Sequence, residues 1–298
     1  MKILVAGWFS FENMGATAGD LICRALTCEW LDRGGYVYDV ALALPFHGGV
    51  DWRSADPKAY SHVVFVCGPF GNGWPIPEFL LHFNGCRLIG LNLSMVDAIE
   101  LWNPFDVLLE RDSSVAARPD ISFLSRSARV PVVGVVRVHP QTEYKGRSLH
   151  EVADQAIERL IASREMAVVI IDTRLDVNST GLRSPAEVET LIARMDVVLT
   201  TRLHGTILAL KNGVPALAID PINGGAKIRH QAETIGWPVL FTVDALTDEA
   251  LQRAFDYCLT EDARVTAREC CERAMKRVEE VRDEFISTLS QSGKSEEK

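Results

Sequence analysis

The sequence predicts an α/β protein made of two doubly wound, Rossmann-like domains that face each other across a cleft. Three observations predict it. Short apolar, β-rich runs alternate with helical patterns along the whole chain, as in parallel sheets covered by helices on both faces. The 298 residues, 47% of them hydrophobic, are long for one core and comfortable for two. A polar stretch with two prolines, "RPDISFLSRSARVP", separates two halves that share the same grammar. It places the boundary between an N-terminal domain, 1–127, and a C-terminal domain, 128–298.

The elements follow in order. "KILVAG" carries one lysine and a short apolar run before Gly7, so it reads as a first strand and not as a secretory signal. A helix spans about residues 18–33 and is ended by Gly34 and Gly35. "YVYDVALAL", "HVVFVCG", "RLIGLNL" and "DVLLERD" are further strands, with helical patterns in "PIPEFLLHFNG" and "MVDAIELW". The second half opens on the strand "VVGVVRV", the helix "LHEVADQAIERLIAS" and the strand "AVVIID". "SPAEVETLIARM" has a legible start: Ser184 as N-cap, Pro185 at the first helical position and Glu187 to complete a capping box. Asp196 to Thr201 is a strand, Thr206 to Asn212 a short helix stopped by Gly213, and "VPALAID" the next strand. "GAKIRHQAETIG" is a helix, "PVLFTV" a strand, and another helix begins near Asp248. A long charged helix covers 262–289, before a tail, "SGKSEEK", expected to be disordered.

Composition removes several classes of function. A net charge of −9 argues against a broad nucleic-acid surface. No apolar run reaches the ~18 residues that a membrane span needs, and the expectation is a cytoplasmic protein without a transmembrane segment. The seven cysteines include no C-x-x-C pair, so they read as reduced, largely buried thiols, with no metal site expected. The sequence leaves the oligomeric state open.

In doubly wound sheets ligands sit beyond the carboxyl ends of strands, so the loops after strands hold the candidates. After the first strand come Gly15, Gly19 and Asp20, where glycines let backbone approach a ligand and a helix N-terminus favours an anion. The spacing is not G-x-G-x-x-G, so a dinucleotide is not supported. After the third strand come Gly68, Gly71 and Gly73, more glycine than one turn requires. "RVHPQTEYKGR" gathers Arg137, His139, Lys145 and Arg147; Arg137 is the candidate, because it still lies on the strand, and the rest of the loop reads as solvated. Arg202 and His204 stand where a strand hands over to a helix. Free N–H groups there favour an anion, the guanidinium suits phosphate or carboxylate, and an imidazole exchanges protons near neutral pH. Lys227, at the start of the next helix, opposes the dipole there, which makes an anionic partner plausible.

The run "ARMDVVLTTRLHGTILALKNGVPALAIDPINGGAKI" resembles the polysaccharide pyruvyl transferase family in its strand, R-L-H triplet, short helix ending in G-V-P and following lysine. "VLLERDSSVAARPDISF" resembles the family segment with an R-D pair followed by P-D. "ENMGATAGDLI" is similar to its N-x-G-D loop, with Asn13 and Gly15 present but Ala16, Thr17 and Ala18 intervening before Gly19 and Asp20. The resemblance implies a GT-B-like fold, with phosphoenolpyruvate as donor, held on the C-terminal side. A sugar diol on the N-terminal side is the implied acceptor, the product is a pyruvate ketal, and no cofactor or metal is required. On that basis His204 and Asp20 are the expected catalytic residues. Arg137, Arg202, Lys227, Asn13, Gly15, Gly68 and Gly71 are the expected substrate-binding residues. Two alternatives stand beside it. One is a GT-B glycosyltransferase using a nucleotide sugar, for which Asp220 or Glu233 would take the ribose. The other is a non-catalytic relative with a sugar-binding or scaffold role.

Overall fold

The structure is a computed structural model that describes residues 1–139 and 147–292. Lys145 and the tail beyond Ser292 lie outside the described residues. The chain divides into two compact units, Met1–Ser127 and Ala128–Lys298.

The first unit contains β1 (Lys2–Ala6), α1 (Ala18–Arg33), β2 (Val37–Val40), β3 (His62–Val66), β4 (Pro69–Phe70), α2 (Ile76–His82), β5 (Arg87–Leu91), β6 (Ser94–Met95) and β7 (Val107–Leu109). Five strands form a sheet in the order β2-β1-β3-β5-β7, parallel throughout. β4 and β6 make a separate two-stranded parallel sheet. Leu4, Val5, Val63 and Phe65 are buried, as expected of strands covered on both faces.

The second unit contains β8 (Val132–Val136), α3 (His150–Ala162), β9 (Ala167–Ile170), α4 (Pro185–Ile192), β10 (Val197–Thr200), α5 (Leu203–Lys211), β11 (Ala216–Asp220), α6 (Lys227–Ile235), β12 (Leu240–Thr242), α7 (Asp248–Cys258) and α8 (Glu261–Ser292). Its sheet runs β12-β11-β10-β8-β9, again all parallel. All of β10 is buried, and α3 turns Ala153, Ala156, Ile157 and Leu160 inward at helical spacing.

Counted within its own five-stranded sheet, each unit has the spatial order 2-1-3-4-5. Both units are therefore Rossmann-like and wound alike. The chain reverses its direction of winding between β1 and β3 in the first unit, and between β8 and β10 in the second. In such sheets the crevice opens at that reversal, outside the carboxyl ends of the strands.

Three expectations differ from the observed elements. "MVDAIELW" is not a helix. Met95 belongs to β6, and the chain then turns so that Trp102 stacks on Phe70, with ring centroids 5.6 Å apart. The segment ahead of Asn103-Pro104 is tied down at both ends and makes a single turn, in which the N–H groups of Leu101 and Trp102 both reach Ala98 O. α5 begins at Leu203 and not Thr206, because Thr200 Oγ1 accepts the Arg202 N–H at 3.0 Å and Arg202 O accepts the Thr206 N–H at 3.1 Å. At α4 Ser184 accepts the Glu187 N–H, but the Glu187 carboxylate reaches one residue further back, to the Arg183 N–H at 2.6 Å.

Candidate functional site

In the second unit the loops after β8, β10 and β11 enclose a cavity of about 230 Å³. Val138, Thr201, Arg202, His204, Asp220 and Lys227 contribute to its wall. Buried Thr201 joins the two sides of the crevice by accepting the Val138 N–H at 3.0 Å. Arg202 is the N-cap of α5, and His204, the second helical residue, is exposed. Gly205 lets this helix mouth sit directly on the sheet: a Cβ there would meet Thr200 Oγ1 and stand 2.9 Å from Val136 Cγ1. Lys227 is the first residue of α6.

Sequence reasoning passed over Asp172, which follows β9 and is 5% exposed. Its carboxylate accepts the N–H groups of Arg174 at 2.9 Å and Ser179 at 3.1 Å, together with the Ser179 hydroxyl at 3.0 Å. His139 Nε2 lies 3.3 Å away and Arg202 Nη1 3.9 Å away. Burial works to raise the Asp172 carboxyl, but these hydrogen bonds outweigh it and bring it down to about 2. Asp172 is therefore a fixed anion behind the arginine. The available signal was an aspartate at the carboxyl end of the apolar run "AVVIID".

Arg202 carries the main electrostatic feature of the cavity. Burial shifts the guanidinium down from its ordinary value, with Asp172 opposing. Nη1 is buried and has no hydrogen-bond partner among the described residues. A buried donor left unsatisfied costs roughly 1–3 kcal/mol, and the Asp172 charge 3.9 Å away offsets part of that cost.

Arg137 does not join this group. It was expected to point at the crevice beside Arg202, but its guanidinium pairs with Glu158 and lies 3.8 Å from Asp154, both on α3. Two carboxylates on the flanking helix hold it on the other side of the strand end. Arg147, expected to be solvated, braces the loop after β11 by donating to Asn223 O at 2.9 Å. The two carboxylates considered for a ribose are engaged elsewhere. Asp220 accepts the N–H groups of Ile222, Ala226 and Arg229, and Glu233 pairs with Arg229 at 2.8 Å.

The first unit has its own cavity, about 420 Å³, at the β1/β3 reversal. Gly15, Asp20, Cys67, Gly68, Arg111 and Asp120 are in its wall. Asp20 is buried and completes the capping box of α1: one carboxylate oxygen accepts the Thr17 N–H and hydroxyl, each at 2.7 Å. Gly68 has φ 85°, and a side chain there would strike the Trp8 ring. Arg111 and Asp120, from the R-D and P-D segments, meet at 2.8 Å. Burial tends to raise the Asp120 carboxyl, but Arg111, Ser122 and Asn92 hold it well below the usual carboxylate range. Asn13 and Gly71 are not brought to this cavity. Asn13 is an exposed turn residue with φ 55°, and Gly71 lines a neighbouring hollow against Val96 and Asp97. Their backbone positions serve turns beside the site.

Among the described residues no helix is long and apolar enough to cross a membrane. Several solved structures align with most of the chain at low identity. A calicheamicin glycosyltransferase is 12% identical, with 99% of this chain and 99% of that chain covered and a TM-score of 0.36. A spinosyn rhamnosyltransferase complexed with thymidine diphosphate is 11% identical, with 93% and 96% covered and a TM-score of 0.33. The UDP-GlcNAc 2-epimerase from Methanocaldococcus jannaschii is 10% identical, with 93% and 99% covered and a TM-score of 0.34. No curated protein sequence matches the chain. The stretch from β8 to the loop after β11, which carries Asp172, Arg202 and His204, matches a family model over residues 128–223, and that family is polysaccharide pyruvyl transferase.

Proposed function

We propose that this protein transfers a pyruvyl group from phosphoenolpyruvate to a sugar diol, forming a pyruvate ketal and releasing phosphate. The observation that carries the reading is Arg202, a guanidinium at the mouth of α5 backed by Asp172 at 3.9 Å, on a cavity that also contains His204 and Lys227. At about 230 Å³ this cavity falls below the ~300–1,000 Å³ usual for drug-sized ligands. That size suits a compact dianion better than a nucleotide sugar. The engagement of Asp220 and Glu233 also leaves the glycosyltransferase alternative without its ribose carboxylate.

In this reading the second unit binds the donor and the first the acceptor. Arg202 and Lys227 hold the phosphate and carboxylate. His204 gives a proton to C3 of the enol, and positive charge develops at C2. One sugar hydroxyl forms a bond to C2 and gives its proton back to His204, the C2–O bond to phosphate breaks, and the second hydroxyl closes the ketal as its proton leaves with the phosphate. General acid catalysis and fixed cations are the two contributions the site would make. Asp20 keeps one oxygen on its helix cap and has the other to orient an acceptor hydroxyl. The seven free thiols fit the reducing cytoplasm that this reading assumes.

The test is calorimetric titration of phosphoenolpyruvate and of a uridine-diphosphate sugar, followed by phosphate release with sugar diols. Binding of phosphoenolpyruvate with acceptor-dependent phosphate release is the expected result. Binding of the nucleotide sugar alone replaces this reading with a glycosyltransferase. Sugar binding without turnover replaces it with a non-catalytic role.

A further inference from the structure

The cavity of the first unit contains chemistry that the proposed transfer does not use. Cys67 follows β3, is 4% exposed and reaches the cavity wall. Cys23, on the inner face of α1, is fully buried. Their Sγ atoms and a carboxylate oxygen of Asp120 all lie within 4.8 Å of one another. Two thiols and a carboxylate could ligate zinc. The buried Asn92 argues for a different role. Its Nδ2 stands 3.5 Å from Cys23 Sγ, 3.6 Å from Cys67 Sγ and 3.1 Å from Asp120 Oδ2. The amide thus directs its hydrogens at all three groups, where a cation would have to sit, and Arg111 already neutralises Asp120. What remains is a pair of thiols within 4.8 Å of each other next to a solvent-reached cavity, with the Cys23 thiol donating to Asp120 Oδ1 at 3.7 Å.

We infer that Cys67 is an oxidation site and that Cys23 resolves it to a disulfide when a peroxide enters the cavity. The two thiols are not equivalent. The neighbouring Cys23 thiol holds Cys67 below its ordinary value, against burial. Cys67, burial and the Asp120 carboxylate together push Cys23 up. Cys67, which reaches the cavity wall, is the thiol a peroxide meets and so the nucleophile, and Cys23, fully buried behind it, is the resolver. The Cys67 thiolate attacks one peroxide oxygen. An S–O bond forms, the O–O bond breaks, and the departing hydroxide takes the proton that Cys67 gave up, leaving as water. Cys23 then attacks the sulfenic sulfur. The S–S bond forms, the S–O bond breaks, and a second water leaves with the Cys23 proton. Peroxide is reduced and the thiol pair oxidised. The bond would tie α1 to the end of β3, the two elements that bring Asp20 and Gly68 to the cavity.

The experiment treats the full chain with hydrogen peroxide, blocks the remaining thiols, and reads the peptides by mass spectrometry. The expected product is a Cys23–Cys67 crosslinked peptide that dithiothreitol reverses. In Cys23→Ser a sulfenic acid on Cys67 should be captured by a dimedone probe, whereas Cys67→Ser should give no adduct at Cys23. Thiolate fraction falls tenfold per pKa unit, so Cys67 should react at least about tenfold faster than Cys258, whose thiol burial pushes up to about 12. Three results overturn the inference: an unreacted Cys67, Cys67 oxidised to sulfinic acid with no crosslink, or one zinc ion bound tightly per wild-type chain and lost in Cys67→Ser. None of these readouts depends on turnover, so they stand or fall apart from the pyruvyl-transfer reading.

Discussion

Arg202 Nη1 stands 3.9 Å from Asp172 Oδ1, facing it without a hydrogen bond between them. Asp172 follows β9, and Arg202 follows β10. Strand β8 lies between those two in the sheet. The pairing therefore spans the winding reversal, where the crevice opens. Asp172 already accepts from two backbone N–H groups and the Ser179 hydroxyl, so it is rigid. The arginine is oriented by a fixed charge and still has donors for an incoming anion.

Asp172→Asn should lower stability at neutral pH and leave the loop after β9 less well held. An amide places N–H hydrogens against the N–H of Arg174 or Ser179. The carboxyl moves from 3.8 to about 2 in the folded chain, a shift worth about 2 kcal/mol. Because the folded value is depressed, the stabilisation is fully present above pH ~4 and is lost as pH falls through about 2. Urea midpoints of wild type and variant should differ at pH 7 and converge toward pH 2. Equal midpoints at pH 7 would show that Asp172 contributes nothing to the fold.

Arg202→Lys should weaken phosphoenolpyruvate binding by at least about tenfold. A guanidinium gives two directed hydrogen bonds that an ammonium does not reproduce, and bonds to charged groups contribute roughly 1.5–3 kcal/mol each, against ~1.4 kcal/mol per decade. Titration calorimetry on both proteins measures this. Unchanged affinity would make Arg202 a purely structural partner of Asp172.

His204→Ala and His204→Gln should abolish most acceptor-dependent phosphate release, by roughly 10²–10⁴-fold for a general acid, with little loss of stability. The side chain is exposed on the second residue of α5, so truncating it opens no core cavity. Phosphate release by either variant at the wild-type rate removes His204 from the chemistry.

Local sequence made the second cavity legible where chemistry and backbone coincide. "TTRLHG" marks a strand end and a helix mouth at once, and Arg202, His204 and Lys227 share one cavity. Arg137 was legible as a basic residue at a strand end but not as the partner of Glu158, because that pairing depends on how α3 packs against β8. Asp172 was hidden for a related reason. Its partners His139 and Arg202 come from other loops, and an aspartate ending a strand is common. In the first unit, Asp20 read as a ligand-facing acid, whereas half of its carboxylate serves the cap of α1. The grouping of Cys23, Cys67 and Asp120 joins residues separated by up to 97 positions, which no local pattern encodes.

Gly205→Ala tests whether the helix mouth needs its close seat on the sheet. In an ordinary helix interior alanine is favoured over glycine by roughly 0.5–1 kcal/mol, so without the seat the change should stabilise the protein. Here the added Cβ meets Thr200 Oγ1 and stands 2.9 Å from Val136 Cγ1, both on packed strands that cannot yield freely. Overpacking of this kind costs about 1–3 kcal/mol, which exceeds the helix-propensity gain. The expected result is a lower urea midpoint. Phosphoenolpyruvate affinity should fall as well, because the same displacement carries Arg202 and His204 away from the crevice. The affinity loss should shrink when Val136→Ala makes room beneath the helix, even though that second change removes core volume and lowers stability further. A Gly205→Ala protein as stable as wild type and binding the donor equally well would show that the helix mouth is free to move, and the cavity would then owe its shape to the loops after β8 and β11 alone.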